Sequence, residues 1–271
     1  MKGTEPLIYS VLYEPPGKRG RTVINICTAL SLLLIAGLIC AVVMRFYETG
    51  QLDARYWSFF VKWTTWRFLL NGLLGTMEAS LAAAVFAMIL GFAMMLMRIG
   101  KNRVINKIAT GLIEFTRGVP TLLFIYFFFL VLPQYGVKLQ AIWKISLPVA
   151  ISASGVVAEV LRSGINAVPK GQREAALSLG LSEAKTLWKI LIPQAFRIVI
   201  PALIAELVIV VKDTTFAYVV SFPDLMQNSK VLISNYDAML SVYLVTAVIY
   251  ILINYILNRI SAFSAGRMQT G

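Results

Sequence analysis

Six apolar runs dominate this chain, at residues 23–44, 72–97, 112–132, 145–161, 196–220 and 242–260. Each is close to the roughly 20 residues that a helix needs to cross about 30 Å of hydrocarbon. In lipid every backbone N–H and C=O must be satisfied within the structure, so runs of this length are read as helices. The sequence therefore predicts an all-α, polytopic membrane protein with six transmembrane helices. Composition agrees, with 58% hydrophobic residues and only 14% charged. A soluble domain has about half and about a quarter.

An even number of spans leaves both ends on one side, and basic residues decide which. Lys18, Arg19 and Arg21 sit in the tail at 1–22, Arg98, Lys101, Arg103 and Lys107 follow the second run, and six more basic residues lie between positions 162 and 197. The alternate loops are poorer in Lys and Arg, so both termini and the 162–197 region are expected in the cytoplasm. The net charge of +12 is read as this topology rather than as a nucleic-acid surface, since no compact basic domain carries it. The tail has its charge late and holds Pro15-Pro16, unlike a signal peptide. Residues 46–71 are aromatic and mixed in charge, which suits a short helix lying in the membrane interface.

Histidine is absent, which removes the commonest general base and metal ligand. Cys27 and Cys40 both fall in the first run and have no metal-type spacing, so they are read as inert thiols. No catalytic residue and no metal site are expected. A membrane-embedded enzyme would need Asp, His or Ser groups clustered at one depth. A self-sufficient secondary transporter would show repeat halves. Neither pattern is visible.

Residues 171–194, GQREAALSLGLSEAKTLWKILIPQ, break the oily pattern. Pro169 suits a helix start. Leu177, Leu181, Ala184, Trp188 and Leu191 recur at helical spacing, Gly180 interrupts them, and Pro193 opens the next span. This predicts two short amphipathic helices joined by a bend. By periodicity alone, a helix lying flat on the bilayer fits as well.

The residue pattern is more specific. Glu174-Ala175-Ala176, then Gly180, Ile190 and Pro193, resembles the EAA loop of ABC-transporter permeases, with Ile192 where the family has Leu. Phe115-Thr116-Arg117-Gly118-Val119-Pro120-Thr121 is similar to the Arg-Gly-Thr-Pro signature of the polar amino-acid branch. Lys212-Asp213-Thr214-Thr215-Phe216 is similar to its Lys-Asp-Thr-Ser-Leu, and the run from Ala158 to Gln172 resembles the approach to its EAA loop. The likeness covers residues 71–260. The tail and the spacing most resemble actinobacterial glutamate-uptake permeases.

That resemblance implies a type I ABC importer permease fold, with a core at 72–260 and a coupling loop at 166–193. The helix at 23–45 is an N-terminal addition, and 261–271 a cytoplasmic tail. It implies docking of the loop, through Gln172, Glu174, Ala175, Ala176, Gly180, Ile190 and Pro193, onto a cytoplasmic ATPase. No Gly-x-x-x-x-Gly-Lys-Ser/Thr phosphate loop occurs in the chain, so ATP and Mg would be held by two partner ATPase subunits. A second permease, identical or related, and an extracytoplasmic substrate-binding protein complete the expected partners, with lipid around the spans. Glutamate is the expected cargo. Glutamine, cystine or arginine, or a non-transporting assembly subunit, are the alternatives.

Charges inside spans cost about 2.5–3.5 kcal/mol each on insertion scales, so each calls for a reason. Glu206 and Asp213 lie seven residues apart and share a helix face, whereas Lys212 points about 100° away from Asp213. They are candidates for the substrate path, with Thr214, Thr215 and Arg117. A structural ion pair is the equal alternative for Lys212 and Asp213. Glu159 and Arg162, three apart, are read as a local structural or gating pair. Gly118 and Pro120 weaken the helix beside Arg117. The topology has a direct test. Cysteines introduced at Gly100 and Ser182 are expected to react with an impermeant maleimide only from the cytoplasm, and one at Tyr135 only from outside.

Overall fold

The computed structural model describes residues 17–269, which form helices joined by short turns, with no strand among the described residues. Residues 1–16, most of the expected tail, lie outside them. Two units are distinguished, residues 1–57 and 58–271.

In the first unit, α1 spans Lys18–Glu48. It begins inside the expected tail, because nothing after Gly17 interrupts a helix and the basic residues continue it. Its apolar side chains are exposed along its length. Thr49 ends it by bonding its hydroxyl to the Arg45 carbonyl at 2.8 Å, and Gly50 follows with a left-handed φ of +71°.

The second unit starts with a tight turn at Ser58–Val61 and then α2, Trp63–Ile99. The interfacial helix expected at 46–71 is therefore replaced by short 3-10 turns and the first turns of a long span. The start of α2 is pinned from below. Thr65 donates to the Phe59 carbonyl at 2.7 Å, and Trp66 Nε1 to that of Phe60 at 2.7 Å.

The third expected span is not one rod. Helix α3, Arg103–Gly118, is capped by Asn102, which accepts from the Val104 and Ile105 N–H groups. It meets α4, Thr121–Tyr126, at 96°. Pro120 explains the corner. It has no N–H to continue the ladder, and it pushes Val119 into extended backbone, φ −91° and ψ 127°. A π-helical turn at Phe127–Val131 and a 3-10 turn to Tyr135 carry the chain out.

Helix α5, Ala141–Ala167, is the most enclosed span. Lipid offers no hydrophobic drive between helices, so close approach of small residues has to hold them. Ala79, Ala83 and Ala87 of α2 are buried against it together with Gly91. A Cβ at Gly91 would lie 2.7 Å from Val157 Cγ1 and 2.8 Å from the Ser154 carbonyl. On other sides of α5, Gly155 lies against Thr116 and Arg117 of α3, and Gly164 against Ala195 and Val199 further along the chain.

After α5 come α6, Lys170–Ser178, and α7, Glu183–Thr186, which passes through a π-helical turn at Leu187–Leu191 into α8, Ile192–Asp213. A 3-10 stretch, Thr214–Val220, ends at Ser221. Helix α9, Leu225–Tyr236, stands where a plain loop was expected. Helix α10, Met239–Gln269, runs on into the expected tail at 261–271, whose last two residues lie outside the described ones. Five described helices are long and apolar enough to span a membrane, six if the bent α3–α4 pair counts as one.

Asp224 explains α9. Its Oδ1 accepts the Gln227 N–H at 2.7 Å as the N-cap, and the residue is fully buried between two spans. Burial pushes its carboxyl up to about 6, against the backbone hydrogen bonds to the charged form. The folded carboxyl thus binds its proton more tightly than the unfolded one, so its contribution to stability is greatest below about pH 4 and is lost as pH rises through about 6. Asp224→Asn keeps a capping side chain and removes the titration. Thermal melts in detergent are expected to show the parent losing roughly 3 kcal/mol more than the variant from acid to neutral pH.

Candidate functional site

The corner between α3 and α4 brings the intramembrane polar groups together. Thr121, the first residue of α4, donates its hydroxyl to Asp213 Oδ2 at 2.7 Å and lies 2.9 Å from the Ser152 hydroxyl of α5. Its single proton goes to the carboxylate, so Ser152 is the donor to Thr121. Three elements thus meet at one carboxylate in mid-span. Asp213 makes no ion pair with Lys212, whose side chain is exposed.

Glu206 stands two turns from Asp213 on the same face of α8. It is 6% exposed and has neither hydrogen-bond nor ionic partner among the described residues. The two threonines after Asp213 bond within their own helix. Thr214 is fully buried and bonds the Val211 carbonyl, and Thr215 bonds that of Lys212 at 2.6 Å. Their hydroxyls close the last turn of their own helix. Arg117 lies at the end of α3 with its head exposed and its stem beside Gly155. Thr121 and Ser152 were not foreseen. The signal was available, since backbone that breaks at membrane depth must find partners nearby.

The segment at 171–194 is a two-helix elbow. Gly180 holds φ +80°, with open space where a Cβ would stand, so a backbone conformation rather than packing calls for glycine. Arg173 Nη2 reaches both carboxylate oxygens of Glu183 at 2.8 Å and straps α6 to α7 across the bend. Gln194 donates to Gln172 at 3.2 Å. Val168, Leu191 and Ala195 form a small core at the elbow's base. Ala176 is buried, while Glu174, Ala175 and Pro193 are exposed and Ile190 half-buried. Glu174 falls in the second turn of α6, beyond the first-turn N–H groups that most favour an acidic side chain. Of the apolar stripe read from the sequence, Trp188 is 53% exposed, Leu177 37% and Ala184 exposed, while Leu181 is half-buried and Leu191 buried, so the stripe is covered only at its far end.

Residues 87–270 match the family described as binding-protein-dependent transport system inner membrane component. The chain belongs to this family. It is an ABC importer permease. The permease is 32% identical over 226 residues to the glutamate transport system permease protein GluD of Corynebacterium glutamicum, covering 82% of this chain and 83% of that one. It is 31% identical over 194 residues to a probable glutamine ABC transporter permease protein, GlnP, of Bacillus subtilis, covering 70% and 89%. Among solved structures it resembles an amino acid ABC transporter crystallised with histidines, at TM-score 0.71 and 29% identity, covering 77% of this chain and 96% of that one.

At the elbow end of the permease, Glu159 does more than pair locally. Its Oε2 accepts from Arg162 Nε at 3.0 Å and Nη2 at 2.9 Å, and its Oε1 accepts from Arg98 at the end of α2. Asn106 of α3 in turn donates to the Arg98 carbonyl. One carboxylate therefore ties α2 to α5. Sequence spacing found the local partner and missed the distant one, which lies 61 positions away. All three side chains are partly buried, so Glu159→Gln leaves two guanidinium groups without a countercharge. It is expected to lower the stability of the purified permease by about 1–3 kcal/mol, read as a drop in melting temperature in detergent, with Arg162→Gln milder because Arg98 keeps its partner.

Proposed function

We propose that this permease forms half of the transmembrane path of an ATP-driven importer of polar amino acids, with glutamate or a related amino acid as cargo. A second permease, identical or related, supplies the other half. Two ATPase subunits hold ATP and Mg and dock at the elbow, and an extracytoplasmic binding protein delivers the cargo. Both termini and the elbow face the cytoplasm. The relatives named for glutamate and glutamine support the cargo class.

The observation that carries this reading is the helix that runs from Glu183 to Asp213 through one π turn. It connects the exposed elbow to Glu206 and Asp213. Force applied at the elbow would reach these carboxylates through one continuous helical element, with α5 as the surface it moves against. Glu206 and Asp213 suit an ammonium group, and Lys212 or Arg117 would answer a carboxylate. Thr214 and Thr215 serve only as the end of the helix.

The experiment has two arms. Gly180→Val forces a side chain into a left-handed backbone, and Glu174→Arg reverses charge on the exposed face. Both variants are expected to insert normally and to retain less ATPase on co-purification, with uncoupled ATP hydrolysis. Asp213→Asn is expected to keep the ATPase and lose uptake. Full ATPase retention and normal transport in both elbow variants would reduce the segment to a surface helix, and normal uptake by Asp213→Asn would make that carboxylate structural.

A further inference from the structure

A cavity of about 420 Å3 opens between α2 and the start of α9, lined by Phe68, Asn71, Glu78, Phe222 and Asn228 among others. It is separate from the group around Asp213. Ser146 of α5 donates to the Ala79 carbonyl at 3.0 Å, which sets Glu78 beside Ser146. Ser152, at the Thr121–Asp213 level, lies six residues further along α5, about 9 Å nearer the elbow end. Glu78 is about 30 Å along α2 from Arg98. The cavity is thus an outer, wide-mouthed chamber on the side away from the elbow, with Asn71 and Glu78 exposed at its rim.

Its chemistry is one-sided. Glu78 is an exposed carboxylate on an apolar span, with no hydrogen bond or ion pair among the described residues. An ionisable group at that depth marks a functional site by default. Asn228 is 6% exposed, and its amide nitrogen is held by the Phe68 carbonyl at 2.7 Å, which leaves its oxygen uncommitted. No Lys or Arg lines the cavity. Phe68 and Phe222 add ring faces, which also attract cations. A carboxylate, an amide oxygen and two aromatic walls select a compact cation with several N–H donors and disfavour an anion. The volume falls in the range of small-molecule sites.

We propose that this chamber is an outer ammonium site, where Glu78 and Asn228 receive the amino group of an incoming amino acid before it reaches Asp213. The proposal rests on the reading of the chain as an amino-acid importer. It gives Glu78 a binding role that all amino-acid cargoes share, so this site holds the amino group and leaves side-chain selection to others.

The test uses the assembled transporter in proteoliposomes, with Cys27→Ser, Cys40→Ser and Asn71→Cys in this chain. The rate at which an impermeant maleimide labels position 71 from outside is measured with methylammonium, L-glutamine or N-acetyl-L-glutamine present. Methylammonium and L-glutamine are each expected to slow labelling about tenfold at roughly ten times their Kd. The N-acetyl compound is expected to have no effect, and adding Glu78→Gln is expected to erase the protection. Labelling untouched by both amines overturns the proposal, as does equal protection by the N-acetyl compound. Protection by the binding protein alone, whatever amine is present, also overturns it and makes the chamber a protein contact. Amino-acid uptake is measured on the same vesicles before labelling. Uptake without protection sinks this site alone, whereas absence of amino-acid uptake by the assembled parent transporter sinks the importer reading.

Discussion

Close packing against α5 is the constraint on which the rest depends. In hydrocarbon, an apolar side chain gains nothing by leaving lipid for another apolar side chain, so helices must earn contact through fit. Here fit comes from residues with little or no side chain. Gly91, Gly155 and Gly164 let α2, α3 and α8 approach a single helix from different sides. Gly155 places the end of α3 against mid-span α5, and the chain turns at Pro120 one step later. That brings Thr121 to Ser152 and Asp213. The polar site is thus a by-product of where three helices touch.

The same packing separates rigid parts from movable ones. The buried core around Ala83, Ala153 and Val157 joins α2 and α5 into one block, and Glu159 fastens the elbow end of that block with Arg98 and Arg162. Helix α8 touches this block through Ala195 and Val199 at Gly164, and through Phe196, which lies near Phe92.

Much of this was legible in the sequence. Apolar length located the spans, because a bilayer imposes a length whatever the fold. Gly180 marked the elbow, because few other residues adopt its backbone. What stayed hidden depended on contacts between distant positions. The partnership of Arg98 with Glu159 and of Thr121 with Asp213 has no local spacing to betray it. Helix α9 hid for another reason. It is too short to register as a span, although Asp224 followed three residues later by Gln227 is a capping pattern that a closer look for helix starts would have caught. The bonds of Thr214 and Thr215 to their own helix were not read from the sequence either, because a hydroxyl beside a charged pair suggests a ligand, whereas at a helix end it is readily taken by the carbonyl one turn back.

The π turn at Leu187–Leu191 has a geometric consequence. Such a turn accommodates one residue more than an α-helical turn. An extra residue shifts the angular phase of everything that follows by about 100° relative to an uninterrupted helix. The elbow and the carboxylates of α8 are therefore not in simple helical register. Which way Glu206 and Asp213 look, for a given orientation of Trp188 at the surface, is set by the count of residues in that one turn. In this permease the azimuth of the intramembrane charges is a matter of chain length as much as of side-chain chemistry.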